Sequence, residues 1–568
     1  MKVRLLAPIL FAVSLGAAVV PGGPASAAGL QAGLYKELNP GPSGSNPQYI
    51  LPAGNRFITF AANAEGQEPW AFNDTSARQL GNIGPGPASG GVDGTAVLGG
   101  EVCFRANDGV HGNELWRTSG DSVVMVEDIL PGPDGSSPDD IVTMGGHVYF
   151  SAYQPAIGTE LWRANASGAD LVSDIDPGVD SSYPSELIPY NGLLYFTAFT
   201  AAAGRELHRS DGVTQNLFAN IGPGAESSYP IYQEVTGGKL YFQAFTVAGG
   251  AEPYSTDGTS TTLVADIFPG AGSSNPIGFK SVGSSVYFQA YDAINGTEPW
   301  VLNGGVASLV ADIYPGPDGS YPGYFQELSG RTYFTAYDET HGSELWSATG
   351  SGADLAEDIF PGPSSSNPQL AVPFDGALYL TATTQTEGNE LRQLAPDGTL
   401  STGKDIRPGP EGSSPSNLTV DGGRLLFSAD DGVHGDEIWQ LSDPGPDTAV
   451  TIRILGRRAT VGKQGFAAIR LACPADETSG PCMVKLTVKT ARPVRVKGKV
   501  RKVTISKKTV TVATGTTGTA KLKISKPVLD LLRRSGKARK VKVTAVVSDK
   551  AGNRRTVKKA FRLGKPAK

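Results

Sequence analysis

Gly158-Thr159-Glu160-Leu161-Trp162 decides the fold of this 568-residue chain, because it is one of nine near-copies of a single phrase. The phrase is Gly-x-Glu, then usually Leu or Pro, then usually Trp. Its glutamates are Glu68, Glu114, Glu160, Glu206, Glu252, Glu298, Glu344, Glu390 and Glu437; seven successive gaps are 46 residues and the last is 47. All six tryptophans (Trp70, Trp116, Trp162, Trp300, Trp346, Trp439) lie two residues after one of these glutamates. So regular a period means one supersecondary unit copied nine times. A residue found in every copy is explained first by the fold.

Outward from Glu160, the unit holds four short runs. After the linker Pro131-Gly132-Pro133-Asp134 come Asp140 to Met144, then Val148 to Tyr153, Thr159 to Arg163, and Asp170 to Ile175. Each is rich in β-branched and aromatic residues and is bounded by Gly, Pro, Asn or Asp. The unit reads as a four-stranded antiparallel meander, strands a to d, of the length of a propeller blade. Strand d ends in Asp-Ile or Asn-Ile, from Asp128-Ile129 to Asp405-Ile406. A lone d-like strand, Gly33 to Leu38, precedes the first linker, and the last unit, Pro408 to Leu441, has only a, b and c. Joining the two ends removes both exposed sheet edges. The expected fold is all-β, a nine-repeat β-propeller over residues 28–441 whose N-terminal strand closes the last blade. An open solenoid would leave those end strands unpaired.

Strand b repeats Tyr-Phe-x-Ala, as in Tyr195-Phe196 with Ala198 and Tyr241-Phe242 with Ala244. Phe and Ala share one face and Tyr points to the other, while Glu and Trp share a face of strand c with Leu opposite. Aromatic against small residues is the pattern of neighbouring sheets that interlock.

Residues 1–27 read as a signal peptide: Lys2 and Arg4, an apolar run from Leu5 to Val20, and the Ala-Ser-Ala site ending at Ala27. No other apolar stretch is long enough to span a bilayer. The expected location is secreted or extracellular, with association to the cell wall. In an exported chain Cys473 and Cys482, nine apart, read as a disulfide, with a two-Cys metal site as the rival. Cys103 takes a slot that is Tyr in six other repeats and reads as a buried, inert thiol.

Charge divides the chain. Residues 447–568 hold 32 Lys and Arg against 5 Asp and Glu, a net of +27, while residues 28–446 hold 15 against 50, a net of −35. Such asymmetry speaks of two domains with different partners. After a linker at 442–449, residues 450–564 alternate in seven short runs, among them Val484 to Val488 and Val541 to Val547. They predict a small basic β-sandwich of immunoglobulin type, with one helical turn at Lys526 to Arg534 and a tail at 565–568. Its aromatic residues are only Phe466 and Phe561, which disfavours nucleic acid and favours anionic cell-wall polymer or polysaccharide. Contact with the chain's own acidic repeats is the competing explanation.

In an a-to-d meander the b–c loops and d–a linkers emerge on one side, and a recognition face belongs there. Asp and Asn in those loops fit side-chain-to-backbone turns. Asp108, Asp292, Asp338 and Asp430 are also the Ca²⁺ candidates, although no loop has the alternating Asp-x-Asp-x-Asp spacing. Tyr183, Tyr229 and Tyr321 before Pro are candidates for carbohydrate contact. His111, His341 and His434 share one slot in separate repeats and are not expected to share a metal. The sequence holds no Gly-x-Ser-x-Gly elbow, no His-Glu-x-x-His and no phosphate loop, so no catalytic or cofactor-binding residue is assigned.

Glu-Leu-Trp at Glu114 to Trp116, Glu160 to Trp162 and Glu344 to Trp346, with Thr256-Asp257-Gly258-Thr259, resembles the ELWxxDGT-repeat family of exported bacterial proteins. The resemblance covers roughly residues 30–441 and departs at Glu206-Leu207-His208 and Glu390-Leu391-Arg392. The tail resembles basic immunoglobulin-like domains of exported actinobacterial proteins through Cys473, Cys482 and Asp549 to Asn553. Neither resemblance supplies an activity. The expected function is a non-enzymatic binding, adhesion or envelope scaffold protein. An exported polysaccharide hydrolase or lyase with a site at the channel mouth, and a passive matrix protein, are the alternatives.

Overall fold

The computed structural model describes residues 30–442 apart from 85, 87–89 and 351, and residues 452–566 apart from 463, 474–481, 497, 514–515 and 549–553. The expected signal peptide, most of the expected linker and the Asp549 to Asn553 motif lie outside the described residues. The chain divides into two compact units, one up to Asp443 and one from Pro444.

The first unit is a propeller-like all-β fold made of nine four-stranded antiparallel sheets. The sheet built around Glu160 consists of Asp139–Met144, His147–Gln154, Gly158–Asn165 and Gly168–Ser173, hydrogen-bonded in that order. Two-residue turns such as Gly145-Gly146, both at positive φ, join strands a and b. The last sheet takes Ser416–Asp421, Arg424–Asp430 and Asp436–Ser442 from its own repeat. Its fourth strand is Gln31–Lys36, antiparallel to Asp436–Ser442 with Leu34 opposite Trp439. The extra residue that makes the last gap 47 enters a c–d turn: Ala348 pairs with Ala353 in one sheet, Leu394 with Leu400 in the next. That turn is remote from the b–c loops.

Packing follows the two-faced pattern. Phe150, Ala152 and Trp162 share a core with Leu115 and Ile129 of the preceding sheet. Tyr149 and Leu161, pointing the other way, share one with Leu194, Phe196 and Ala198 of the following sheet. Each wholly buried phenylalanine stabilises its seam by about 2–3 kcal/mol. Ile50, Phe57 and Phe72 of the first sheet pack with Leu426 and Ile438 of the last. Strand a carries a register shift in every sheet, for example between Asp139 and Val142. Asp140 inside it stands at φ 51°, so the strand bulges there and turns one side chain out of the ladder.

The second unit has a three-stranded sheet (Arg453–Leu455, Phe466–Ala472, Thr517–Lys523) and a five-stranded sheet. The latter runs in the order Arg458–Ala459, Arg554–Leu563, Lys540–Ser548, Cys482–Thr490, Thr504–Val512. Ile469, Leu471, Val484, Leu486, Val543 and Leu522 belong to one shared core. Cys473 and Cys482 form a disulfide that ties the end of one sheet's strand to the start of the other's. Lys526–Arg534 is helical, with Pro527 in its first turn, Leu532 buried, and Arg533 and Arg534 in the last turn, where cations are favoured. Two expectations differ. Val503 to Ile505 and Val510 to Val512 are parts of one strand, continuous through the exposed Lys507 and Lys508. Arg554–Leu563 is a full strand whose crowded cations hide an alternation resolved only at Phe561 and Leu563. Among the described residues no helix is long and apolar enough to cross a membrane.

Candidate functional site

The repeat glutamates hold the loop face in place. All nine are at most 2% exposed. Glu160 accepts Ile175 N at 2.8 Å and Ser182 Oγ at 2.7 Å on Oε2, and Ser182 N at 2.8 Å on Oε1. The carboxylate on strand c thereby pins both ends of the linker leaving its own strand d. Eight of the glutamates take a linker serine in this way; among the described residues Glu68 accepts Ile83 N and Gly84 N, and its linker has Gly90 in the serine's place. Glu437 accepts Leu38 N (2.8 Å), Asn39 N (3.0 Å) and Ser45 Oγ (2.7 Å), joining the last repeat to the N-terminal segment. Burial pushes these carboxyls up against the pull of their donors, Glu298 to about 7.

The linker serine also binds strand b. Ser182 O accepts Phe199 N at 2.8 Å, and Tyr183 N donates to Thr159 O at 3.1 Å. Linkers and b–c loops therefore lie side by side as one framework of backbone bonds, on which exposed side chains are carried rigidly.

Each of the four loop aspartates accepts a backbone N–H of its own loop, and Asp430 also reaches a linker arginine. Asp108 accepts Val110 N and His111 N on Oδ1 and meets His111 Nδ1 through Oδ2 at 2.7 Å. Asp338 does the same with Thr340, His341 N and His341 Nδ1. Asp292 accepts Ile294 N, Asn295 N and the Asn295 amide. Asp430 accepts Gly432 N and Arg407, and its neighbour Asp431 makes the bonds to Val433, His434 N and the His434 ring. Burial works to raise Asp108, but the His111 and Val110 donors outweigh it and keep the carboxyl below its ordinary value. Bonding to Asp108 in turn holds His111 above the usual histidine range. Among the described residues no group of three or more His, Cys, Asp or Glu is placed to hold a metal ion. Cys103 is buried, and desolvation pushes its thiol up to about 12, where it is no nucleophile at neutral pH.

The repeat is broken around Glu206 at two positions. His208 stands in the tryptophan slot, 1% exposed, stacked on Phe196 with ring centroids 5.8 Å apart. Burial holds its imidazole below the ordinary value, and Nδ1 lies 3.1 Å from Gln215 Oε1. Arg205 stands where the other repeats have Gln67, Asn113, Thr159, Ala251, Thr297, Ser343, Asn389 and Asp436. Its guanidinium donates to the Tyr183 carbonyl from Nη1 (2.9 Å) and Nη2 (2.7 Å). Its own carbonyl accepts Ser228 N (3.0 Å) and Tyr229 N (3.1 Å). Two of the tyrosines singled out in the sequence are thus brought to one arginine, and Tyr321 lies in another linker. Arg205 escaped the sequence reading, although it is the one base in the x position of nine Gly-x-Glu phrases. Tyr232 and Tyr324, 45% and 53% exposed beyond the prolines, escaped it too, because strand a looked regular there.

In the second unit the only described ion pair is Arg533 with Asp530. Beside that helix, Arg495, Lys526, Asp530, Leu531 and Arg534 line an open groove of about 640 Å³.

No protein-family model and no curated protein matches the sequence. Solved structures with a similar course include Sqt1 of Saccharomyces cerevisiae, at 10% identity and TM-score 0.31 over 62% of this chain and 95% of that one. A prolyl endopeptidase is similar at 10% identity and TM-score 0.32, over 62% of this chain and 53% of that one. The Aleuria aurantia lectin in complex with α-methyl-L-fucoside is similar at 12% identity and TM-score 0.22, over 47% and 91%. Likenesses this low carry no argument about activity or ligand.

Proposed function

We propose that the chain is an exported, non-enzymatic binding or adhesion protein of the cell envelope. In this reading the first unit is a closed nine-bladed propeller that presents its loop face for recognition. The second is an immunoglobulin-like domain that attaches to anionic surface polymer, and the repeats belong with the ELWxxDGT proteins. The observation that carries the reading is the use of charge. The repeat carboxylates are occupied in internal loop bonds, whereas the cations of the second unit stand on exposed strand positions, as in Cys482–Thr490, where exposed and buried residues alternate. Exposed like charges on a rigid sheet attract an anionic polymer through the summed field, with an affinity that falls as salt rises.

Retention of the purified protein on cell-wall preparations and on immobilised polyphosphate is the test. The full chain is expected to bind at low salt and elute as salt is raised, and removal of residues 447–568 is expected to abolish retention. Equal retention without those residues would remove the attachment role.

A further inference from the structure

We propose that the loop face around Arg205 is a binding site for a neutral glycan, contacted by Tyr183 and Tyr229, the exposed tyrosines of the two linkers that Arg205 joins. The inference rests on the reading of the repeat unit as a recognition body, and names what that body recognises.

The backbone gives the first argument. The linker position of Tyr183 is left-handed in eight repeats: Asn46, Asn275 and Asn367 at φ 44–46°, Ser137 and Ser414 at 50° and 48°, and Tyr183, Tyr229 and Tyr321 at 46°, 47° and 49°. Asn adopts this conformation far more readily than a bulky side chain, for which it is strained. The fold offsets that strain only in part by burial, since Tyr183, Tyr229 and Tyr321 are 58%, 54% and 65% exposed. Three strained, solvent-facing phenols where asparagine serves elsewhere are held for contact with something outside the chain.

Arg205 gives the second. It is bonded to the backbone of both flanking tyrosines, and its amide is fixed by Ser227 Oγ at 2.9 Å. The Tyr183 carbonyl takes bonds from Nη1 and Nη2 of a group that has five N–H donors. Phe199, 36% exposed, is bonded to the residue before Tyr183, and Tyr232 N is held at 2.9 Å by Glu186 Oε2. Exposed aromatic side chains, one forked donor and the Glu186 carboxylate, which accepts Tyr232 N, are thus carried on adjoining backbone segments of this face.

Chemistry selects the ligand. A pyranose offers C–H faces for aromatic rings and paired hydroxyls for a guanidinium or a carboxylate, and tyrosine supplies such amphipathic contact at small entropic cost. The surrounding unit, with a net charge of −35 over residues 28–446, repels anionic chains. A neutral glycan fits where a polyphosphate or an acidic peptide does not.

The test uses the full chain in sedimentation assays with cellulose, chitin and curdlan, and in affinity electrophoresis with dextran, xylan and mannan. Binding to at least one is expected. Tyr183→Ala with Tyr229→Ala should weaken it about tenfold or more, and Arg205→Ala several-fold, while Tyr183→Phe with Tyr229→Phe stays within about threefold. Asn275→Ala, at the equivalent linker position without an arginine, should change nothing. No binding to any of the six, or binding unaffected by the double alanine change, overturns the site. Retention on polyphosphate alone also overturns it and leaves the attachment role of the second unit standing. Glycan binding that persists while wall retention fails breaks only the latter.

Discussion

The two units put charge to opposite uses. In the repeats, a buried carboxylate is the centre of each loop framework, and nine such groups lie at most 2% exposed. Among the described residues of the second unit no acid or base is buried, and the cations of strands such as Cys482–Thr490 lie on exposed positions. Charge in the first unit is part of the architecture; in the second it belongs to the surface. The difference teaches that net charge by itself does not locate a binding face, because −35 and +27 arise from groups with different duties.

The largest effect that sharpens this contrast is expected at a repeat glutamate. Glu160→Ala leaves Ile175 N, Ser182 N and the Ser182 hydroxyl buried without their acceptor, and should destabilise the repeat unit by about 3–5 kcal/mol in chemical denaturation. A loss under 1 kcal/mol would mean that the linker rearranges freely. Next is the disulfide. Cys473→Ser with Cys482→Ser opens a loop of nine residues' separation and should cost the second unit about 2–3 kcal/mol, leaving the repeats' transition in place.

A pH profile comes third. Burial raises Glu298, Glu234 and Asp436 to about 7 and Asp140 to about 6. The folded state then holds protons more tightly than the unfolded chain. The resulting stability is complete below the unfolded values near 4 and is lost as pH climbs through the folded ones. Asp108 and Asp431, held low by their turn donors against burial, act in the other direction and lose their contribution as pH falls below about 4. The Tm of the repeats should therefore climb from pH 8 to a maximum near pH 5 and drop again in stronger acid. A Tm that rises steadily toward pH 8 would contradict the assignment of buried, raised carboxyls. The smallest effect belongs to the second unit's surface. Lys507→Gln and Lys508→Gln should each change stability by less than about 0.5 kcal/mol, yet lower the salt needed to elute the protein from polyphosphate.

The repeat was legible in the sequence because its period, its glutamate and its two-faced strands all report one packing arrangement. The disulfide and the helix at Lys526–Arg534 were legible from spacing and amphipathicity. Two kinds of feature were hidden. Arg554–Leu563 lacks a run of alternating apolar residues, so its place in the sheet depends on partners far away in the chain. The left-handed positions of Tyr229 and Tyr232 leave no mark in composition, and only the register shift of the strand reveals that Tyr232 leaves the ladder. Arg205 escaped the sequence reading because it acquires meaning only when its bonds to the Tyr183 and Tyr229 backbones are seen. The function of Glu160 was half legible: its recurrence announced a structural duty, and the linker serine as its partner emerged with the fold.

The N-terminal strand that completes the last sheet sets an order of events during synthesis. Gln31–Lys36 emerges first, and its partner Asp436–Ser442 is made some 400 residues later. The strand stays without its mate through nearly the whole translation of the repeats, and completion must await the final one. Bringing the two ends together over that separation costs about 5 kcal/mol of chain entropy. The seam bearing Glu437, Leu38 and Ser45 thus cannot be completed until the last repeat has been made.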